Sequence, residues 1–320
     1  MKKTLIALAV LAASTASMAQ VTLYGKADVA LGASDKVGLG FANDKFQAVA
    51  NNIMNNASSR FGMRGTEDLG GGLKAGFNFE AAVNIANGAT DANTFQRNAN
   101  MSLSGGFGTL TAGRFLNTTF YSTAAWELTG AANYSAVVNQ FGLGGVGSRD
   151  SAGLKYDTPA MGGLKASLTV VPEGNNAFAA APNKGKYDVS VGYGAGPMVV
   201  SLAYAKIDTS NESTVVGGSY NFGMVTVAAS YLTAKNGLGD KTTEGYSLGA
   251  SLPMGQWTFT ADMAQDTISR AANSTDTNFV LEAKYAVSKR TFVYGAYLMD
   301  GKGKTTNDIS AYSLGLQHNF

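Results

Sequence analysis

In SRFGMRGTEDLGGGLKAGFNFEAAVNI, residues 59–85, two alternating segments flank a glycine-rich turn. In its second half Leu73, Ala75, Phe77, Phe79, Ala81, Val83 and Ile85 fall on one face. Lys74, Gly76, Asn78, Glu80 and Asn84 fall on the other, with small Ala82 among them. That period is 2 rather than 3.6, so the segment reads as a strand. In the first half Phe61 and Met63 share a face, and Arg60 and Arg64 share the opposite one. A short glycine-rich turn joins the halves into a β-hairpin with one apolar and one charged face. Soluble sandwiches also build such hairpins, so the rest of the chain has to decide between water and lipid.

The same rhythm extends in both directions. Val21, Leu23, Ala27, Val29 and Leu31 alternate with Thr22, Lys26 and Asp28. Alternation recurs at 94–104, 109–115, 151–157, 164–170, 187–193, 200–204, 225–231, 246–252, 257–263, 278–287 and 312–320. Weaker segments surround Val216 and Phe292. The count reaches about sixteen strands, joined alternately by tight turns and longer polar loops, which is the layout of a transmembrane β-barrel. Hydrocarbon offers no partner for backbone N–H and C=O groups, so a sheet in lipid must close on itself. An even strand number brings the first and last strands together. Tyr156, Tyr187, Tyr193, Tyr204, Tyr220, Tyr231, Tyr246, Trp257 and Tyr285 lie near strand ends on the apolar face, where an interfacial girdle belongs. The competing architecture is a secreted β-sandwich, whose inward faces would carry larger apolar residues than the Lys, Asp, Ser, Thr, Asn, Gly and Ala seen here.

Residues 1–19 read as a secretory signal peptide. Lys2 and Lys3 precede an apolar run at 5–13, and small residues stand at Ser17 and Ala19. The barrel then occupies 20–320. Without Lys2 and Lys3 the Lys plus Arg count falls from 24 to 22, matching 22 Asp plus Glu. A neutral chain lacks the basic excess of a nucleic-acid binder. There is no cysteine and a single histidine, His318. Thiol, serine–histidine and clustered His/Cys metal chemistry therefore have no seat, and neither an enzyme nor a cofactor is expected. No apolar run approaches the roughly 20 residues of a membrane-spanning helix.

The motifs VTLYGKAD (21–28), SRFGMRGTEDLGGGLKA (59–75), FGTLTAGR (107–114), SKRTFVYGAY (288–297) and the terminal LQHNF (316–320) together resemble the general diffusion porins of Gram-negative bacteria, with the β-proteobacterial type nearest in flavour. The resemblance covers the whole mature chain. It implies an outer-membrane homotrimer of sixteen-stranded barrels, surrounded by outer-membrane lipid and lipopolysaccharide. It also implies a third loop folded into the lumen, a subunit latch near residues 86–93, and a C-terminal aromatic, here Phe320, read by the barrel assembly machinery.

Residues 115–148 fit the third loop by length and by their lack of alternation. Glu127 is the only acid there, fewer than the family usually carries. Opposite that loop the family sets a basic ladder, which matching motifs place at Lys26, Arg60, Arg64, Arg97, Arg114 and Arg149. Strand parity independently puts Lys26, Arg60, Arg64 and Arg149 on polar faces. Arg97 alternates with Phe95, Ala99, Met101 and Leu103, so parity sends it outward whereas the resemblance sends it into the pore. A local bulge would reconcile the two. With Asp28, Glu80, Glu127 and Asp150 as the acids, the expected constriction has six basic groups against four acidic ones. The expectation is a water-filled channel for small hydrophilic solutes and ions with mild anion preference. The alternatives are a substrate-specific porin for sugars or organic anions, for which lumenal Tyr24 and Tyr121 offer little, and an outer-membrane adhesin.

Overall fold

Residues 60–82 form the hairpin that their alternation predicts, and the glycine run explains its turn. Gly70, Gly71 and Gly72 have φ of 83°, 63° and 80°, a region that side chains with a Cβ rarely enter. The computed structural model describes residues 21–41, 45–174, 183–268, 276–302 and 308–320. The expected signal segment, 1–19, lies outside them.

In chain order come β1 (Thr22–Ser34), the three-residue β2 (Gln47–Val49), β3 (Arg60–Gly70) and β4 (Leu73–Ala82). Then come β5 (Asn98–Gly105), β6 (Gly108–Leu116), β7 (Arg149–Asp157), β8 (Leu164–Val171) and β9 (Lys186–Ala195). β10 (Met198–Ile207), β11 (Glu212–Asn221), β12 (Thr226–Lys235) and β13 (Lys241–Met254) follow. The last four are β14 (Trp257–Asp266), β15 (Asp276–Ala286), β16 (Thr291–Lys302) and β17 (Ile309–Asn319). Each strand from β3 onward pairs antiparallel with the next, and β1 closes the ring against β17 from Lys26↔Asn319 to Ser34↔Ala311. The other edge of β1 pairs with β3 over residues 22–26 and with β2 over residues 30–32. β2 belongs to the first loop, so the wall is a closed barrel of 16 strands.

The loop side is less uniform than expected. β10 connects to β11 through residues 208–211 alone, and β12 to β13 through 236–240. Outward faces carry the expected lipid contacts: Leu202, Val216, Leu248, Leu281 and Leu314 are all exposed. Tyr193, Tyr220, Trp257 and Tyr285 ring the turn end, while Tyr187, Tyr204, Tyr231 and Tyr246 lie toward the loop end. Interfacial aromatics at two levels suit a membrane wall, not a sandwich core.

The inward face departs from the uniformly polar lumen that alternation suggests. Ile207, Val215, Leu232, Val280 and Leu298 point inward and are buried, because loop residues cover them. Met54 of the first loop and Trp126, Tyr134, Val137 and Phe141 of residues 115–148 pack on this side as one apolar cluster. The long loop holds two short helices. α1 (Thr118–Ala124) is capped by Asn117, whose side chain accepts from Phe120 N at 2.8 Å. α2 (Ala136–Phe141) is capped by Ser135, accepting from Val138 N at 3.2 Å, and ends at left-handed Gly142.

Small polar residues on the wall hold the loop in the lumen. Thr118 Oγ1 meets Thr169 Oγ1 of β8 at 3.0 Å. Asp188 of β9 accepts from Thr119 N at 3.0 Å and from Thr119 Oγ1 at 2.8 Å. Ser122 Oγ donates to Ser201 Oγ of β10 at 2.8 Å, and Trp126 Nε1 donates to the same oxygen at 3.1 Å. The indole fills the space over Gly217 of β11, where an added Cβ would stand 2.3 Å from Trp126 Cε2. Further along, Tyr134 OH donates to Glu282 of β15 at 2.5 Å. Gly217→Val should therefore push the indole off the wall, at a local cost of about 1–3 kcal/mol. Single-channel recording should show a larger and noisier conductance; an unchanged conductance would mean that Trp126 does not hold the loop.

Candidate functional site

Because the loop lies against β8–β16, the open channel runs between it and the wall of β1 and β3–β7. That wall carries most of the expected basic groups. Inward parity on β1 places Tyr24, Lys26 and Asp28 in the lumen, and Lys26 stands directly across from Arg60 of β3. The Arg60 Nε lies 3.6 Å from Glu80 Oε2 on β4. Arg97 Nε donates to Glu80 Oε1 at 2.7 Å. Arg149 Nε donates to the Arg97 carbonyl at 2.9 Å. Tyr24 OH lies 2.8 Å from Asn78 Oδ1 and 3.0 Å from Glu80 Oε2. Three guanidinium groups and one lysine thus gather around one carboxylate. Arg64 sits further toward the turn end, its guanidinium 5.0 Å from the centre of the Tyr24 ring.

Arg97 resolves the conflict between parity and resemblance without a bulge. β5 begins at Asn98, so Arg97 precedes the strand and its side chain is free of the strand's alternation. Arg114 is the correction. In register, Met63, Phe79, Ala99 and Arg114 form one row across β3–β6, and that row faces outward. Its guanidinium donates to the Gln96 carbonyl and to Ser151 Oγ, beside Phe95, which packs on outward Phe79. Arg114 therefore lies outside the lumenal cluster. The sheet register shifts between Gly113 and Phe115, but β5 still pairs Ala99 with Arg114.

Of the four expected acids, only Glu80 faces this cluster. Asp28 is fully buried and accepts from Asn55 Nδ2 at 2.9 Å, Ala57 N at 2.9 Å and Tyr294 OH at 2.7 Å, which pins the first loop. Asp150 is equally buried and pairs with Lys186 Nζ at 2.8 Å. Glu127 turns into its own loop, accepting from Thr129 Oγ1 at 2.7 Å, Ser135 Oγ at 2.8 Å and Ala131 N at 2.5 Å. The loop residues left exposed are Tyr121, Ala125, Gly130, Gly142, Gly145 and Gly147, so the loop turns no carboxylate toward the basic wall. Burial pushes the Tyr121 phenol above its ordinary range. Burial, then the Glu282 charge, pushes Tyr134 well above it. Neither phenol supplies an anion.

Lys155 of β7 is a lumenal cation absent from the motif-based ladder. Its Nζ lies 4.8 Å from the Tyr121 ring centre, 5.3 Å from that of Phe115 and 3.6 Å from Asp157. Lys284 of β15 is another; it pairs with Glu282 at 3.0 Å and donates to the Thr129 carbonyl at 3.0 Å. Alternation alone would have found both, since each sits in the polar series of its strand. Among the described residues no group of three His, Cys, Asp or Glu is arranged to hold a metal. His318 lies on the outward face of β17 beside Thr291, and Phe320 exchanges backbone hydrogen bonds with Gly25 at 3.0 and 3.1 Å, extending the seam to the last residue.

Comparison with known proteins places this geometry in a family. The Gram-negative porin family matches residues 4–319. Outer membrane porin protein 32 of Delftia acidovorans is 34% identical over 314 residues, covering 92% of this chain and 88% of that protein. An outer membrane porin protein of Bordetella pertussis is 29% identical, with 100% of both chains covered. Among solved structures, the anion-selective porin from Comamonas acidovorans superposes with a TM-score of 0.79 at 25% identity, over 94% of this chain and 100% of that one. A closed barrel with a loop anchored in its lumen, matched from end to end by these proteins, makes the chain a member of the Gram-negative porins, channel proteins of the outer membrane.

Proposed function

We propose that the channel passes small hydrophilic solutes and ions by diffusion, with a mild preference for anions set where residues 115–148 face the basic wall. The observation that carries this reading is the imbalance there. Lys26, Arg60, Arg64, Arg97, Arg149 and Lys155 face the lumen along this wall, against Glu80 and Asp157. The loop opposite offers no carboxylate. A fixed charge about 5 Å from a passing ion is worth about 1 kcal/mol in bulk water and about 3 kcal/mol at an effective dielectric of about 20. Low-dielectric walls move the pore toward the second value, while salt and the paired acids move it back. The related porin from Comamonas acidovorans, described as anion-selective, supports the same sign.

The finer parts of the reading concern assembly. Residues 1–19 act as the signal peptide, and terminal Phe320 as the mark read by the assembly machinery. The protein works as a homotrimer in lipid and lipopolysaccharide. In support, β5 has only 8 residues, short for a strand meeting lipid, which needs about 9–11. Outward Arg114 lies beside it, where a charge suits a subunit contact better than hydrocarbon. Residues 86–93 lie in the same region, on the connection between β4 and β5.

Reversal potential across planar bilayers in a potassium chloride gradient tests the ion preference. The expected chloride-to-potassium permeability ratio is above one, about two to ten; a ratio below one would overturn the proposal. Arg60→Glu should move the ratio toward potassium several-fold while the trimer band on a heat-modifiability gel stays intact. An unmoved ratio would place Arg60 away from the path of the ions.

A further inference from the structure

Beneath α1, on the turn side of the constriction, lies a cavity of about 420 Å³. Tyr121 and Ala125 of the loop form its roof, and Lys165, Ser167, Gly192 and Ser201 of β8–β10 line the wall. Three features distinguish it from plain channel wall. Tyr121 is 51% exposed, although Lys155 stands over its ring and Phe120 meets it edge-on. Gly192 brings no side chain to the lining. Lys165 is exposed, and among the described residues it makes no ion pair. An aromatic roof, a stretch of wall where Gly192 adds no side chain, and a cation at the edge together suit an anion with a planar apolar body. An aromatic ring stacks on such a roof more favourably than a saturated ring of equal size. A carboxylate on that ring would meet Lys165 at the rim, while the Ser167 hydroxyl already donates to Asp157 at 2.5 Å.

We propose that this cavity is a transit subsite for planar aromatic carboxylates of about the size of benzoate, with the ring against Tyr121 and the carboxylate at Lys165. Between the cluster around Glu80 and this cavity, Tyr121 lies within electrostatic reach of Arg149 and Arg60 as well as of Asp157 and Glu80, and Lys155 Nζ stands 4.8 Å from its ring centre. The inference rests on the anion preference proposed above and adds a solute class to it.

A subsite makes conduction saturable, so the test is conductance against concentration in the potassium salts of benzoate, acetate and cyclohexanecarboxylate. Benzoate should half-saturate the wild-type channel at a concentration about two- to tenfold lower than the other two. Tyr121→Ala and Lys165→Gln should each bring benzoate into line with acetate. Should Tyr121→Ala fail to insert, Tyr121→Leu replaces it and should have the same effect. Equal half-saturation by all three salts in the wild-type channel would overturn the proposal. So would a benzoate advantage that survives both substitutions, or one shared by cyclohexanecarboxylate. The wild-type reversal potential in potassium chloride separates the two readings. An anion-preferring channel with no benzoate advantage defeats only the subsite, whereas a cation-preferring channel defeats the reading on which the subsite rests.

Discussion

Every feature of this molecule depends on the need to satisfy backbone hydrogen bonds where no water can reach. Each unpaired N–H or C=O in hydrocarbon costs several kcal/mol, so the sheet cannot end. The seam between β1 and β17 meets that demand over nine register pairs, and the exchange between Gly25 and Phe320 extends it to the last residue. The opposite edge of β1 poses the same problem on a smaller scale. β3 covers only residues 22–26, and the first loop sends β2 back to cover residues 30–32. Closure then divides every strand into a lipid face and a lumen face, which is why period-2 alternation runs through the chain.

The lumen face has a second division, between the part that meets water and the part that meets the loop. Apolar side chains at Val215, Leu232, Val280 and Leu298 would be misplaced in a water-filled pore, yet they are buried beneath Trp126, Tyr134, Val137 and Phe141. Where the loop crosses polar wall, it does so on matched groups. The buried set of Lys186, Asp150 and Asp188 ties β7 and β9 to Thr119 of α1. Removing one member of such a set leaves a charge uncompensated, typically at a cost of about 3–5 kcal/mol. The loop is thus fixed to one half of the barrel, and at its level the basic wall of β1 and β3–β7 stands opposite.

Much of this was legible in the sequence, and the limits follow from what alternation can report. Within strands parity places Lys26, Arg60 and Arg64 in the lumen, and it would equally have singled out Lys155 and Lys284. It misleads at Arg97, one residue before β5 begins, because a strand's period has no force outside the strand. For Arg114 the motif pointed inward whereas the register row from Met63 to Arg114 points outward, so the backbone overrides the resemblance. Alternation also could not separate lumenal residues bathed in water from those under the loop. That difference depends on where residues 115–148 settle, a question of long-range packing.

The same limit governs the charges. Counted along residues 20–320, basic and acidic residues balance at 22 each, and six basic candidates face four acidic ones. The fold treats the two signs differently. Three of the four acids hold loops in place: Asp28 binds the first loop, Glu127 closes a turn of the third, and Asp150 joins the buried network with Lys186. A carboxylate suits such work because it accepts several hydrogen bonds from backbone and hydroxyl donors at once. The arginines are long, and Arg60 and Arg97 converge on Glu80 from neighbouring parts of the wall. A barrel whose residues 20–320 carry equal numbers of acids and bases can therefore present a positive field to its channel. What sets the field is which carboxylates the folding of the loops has already engaged.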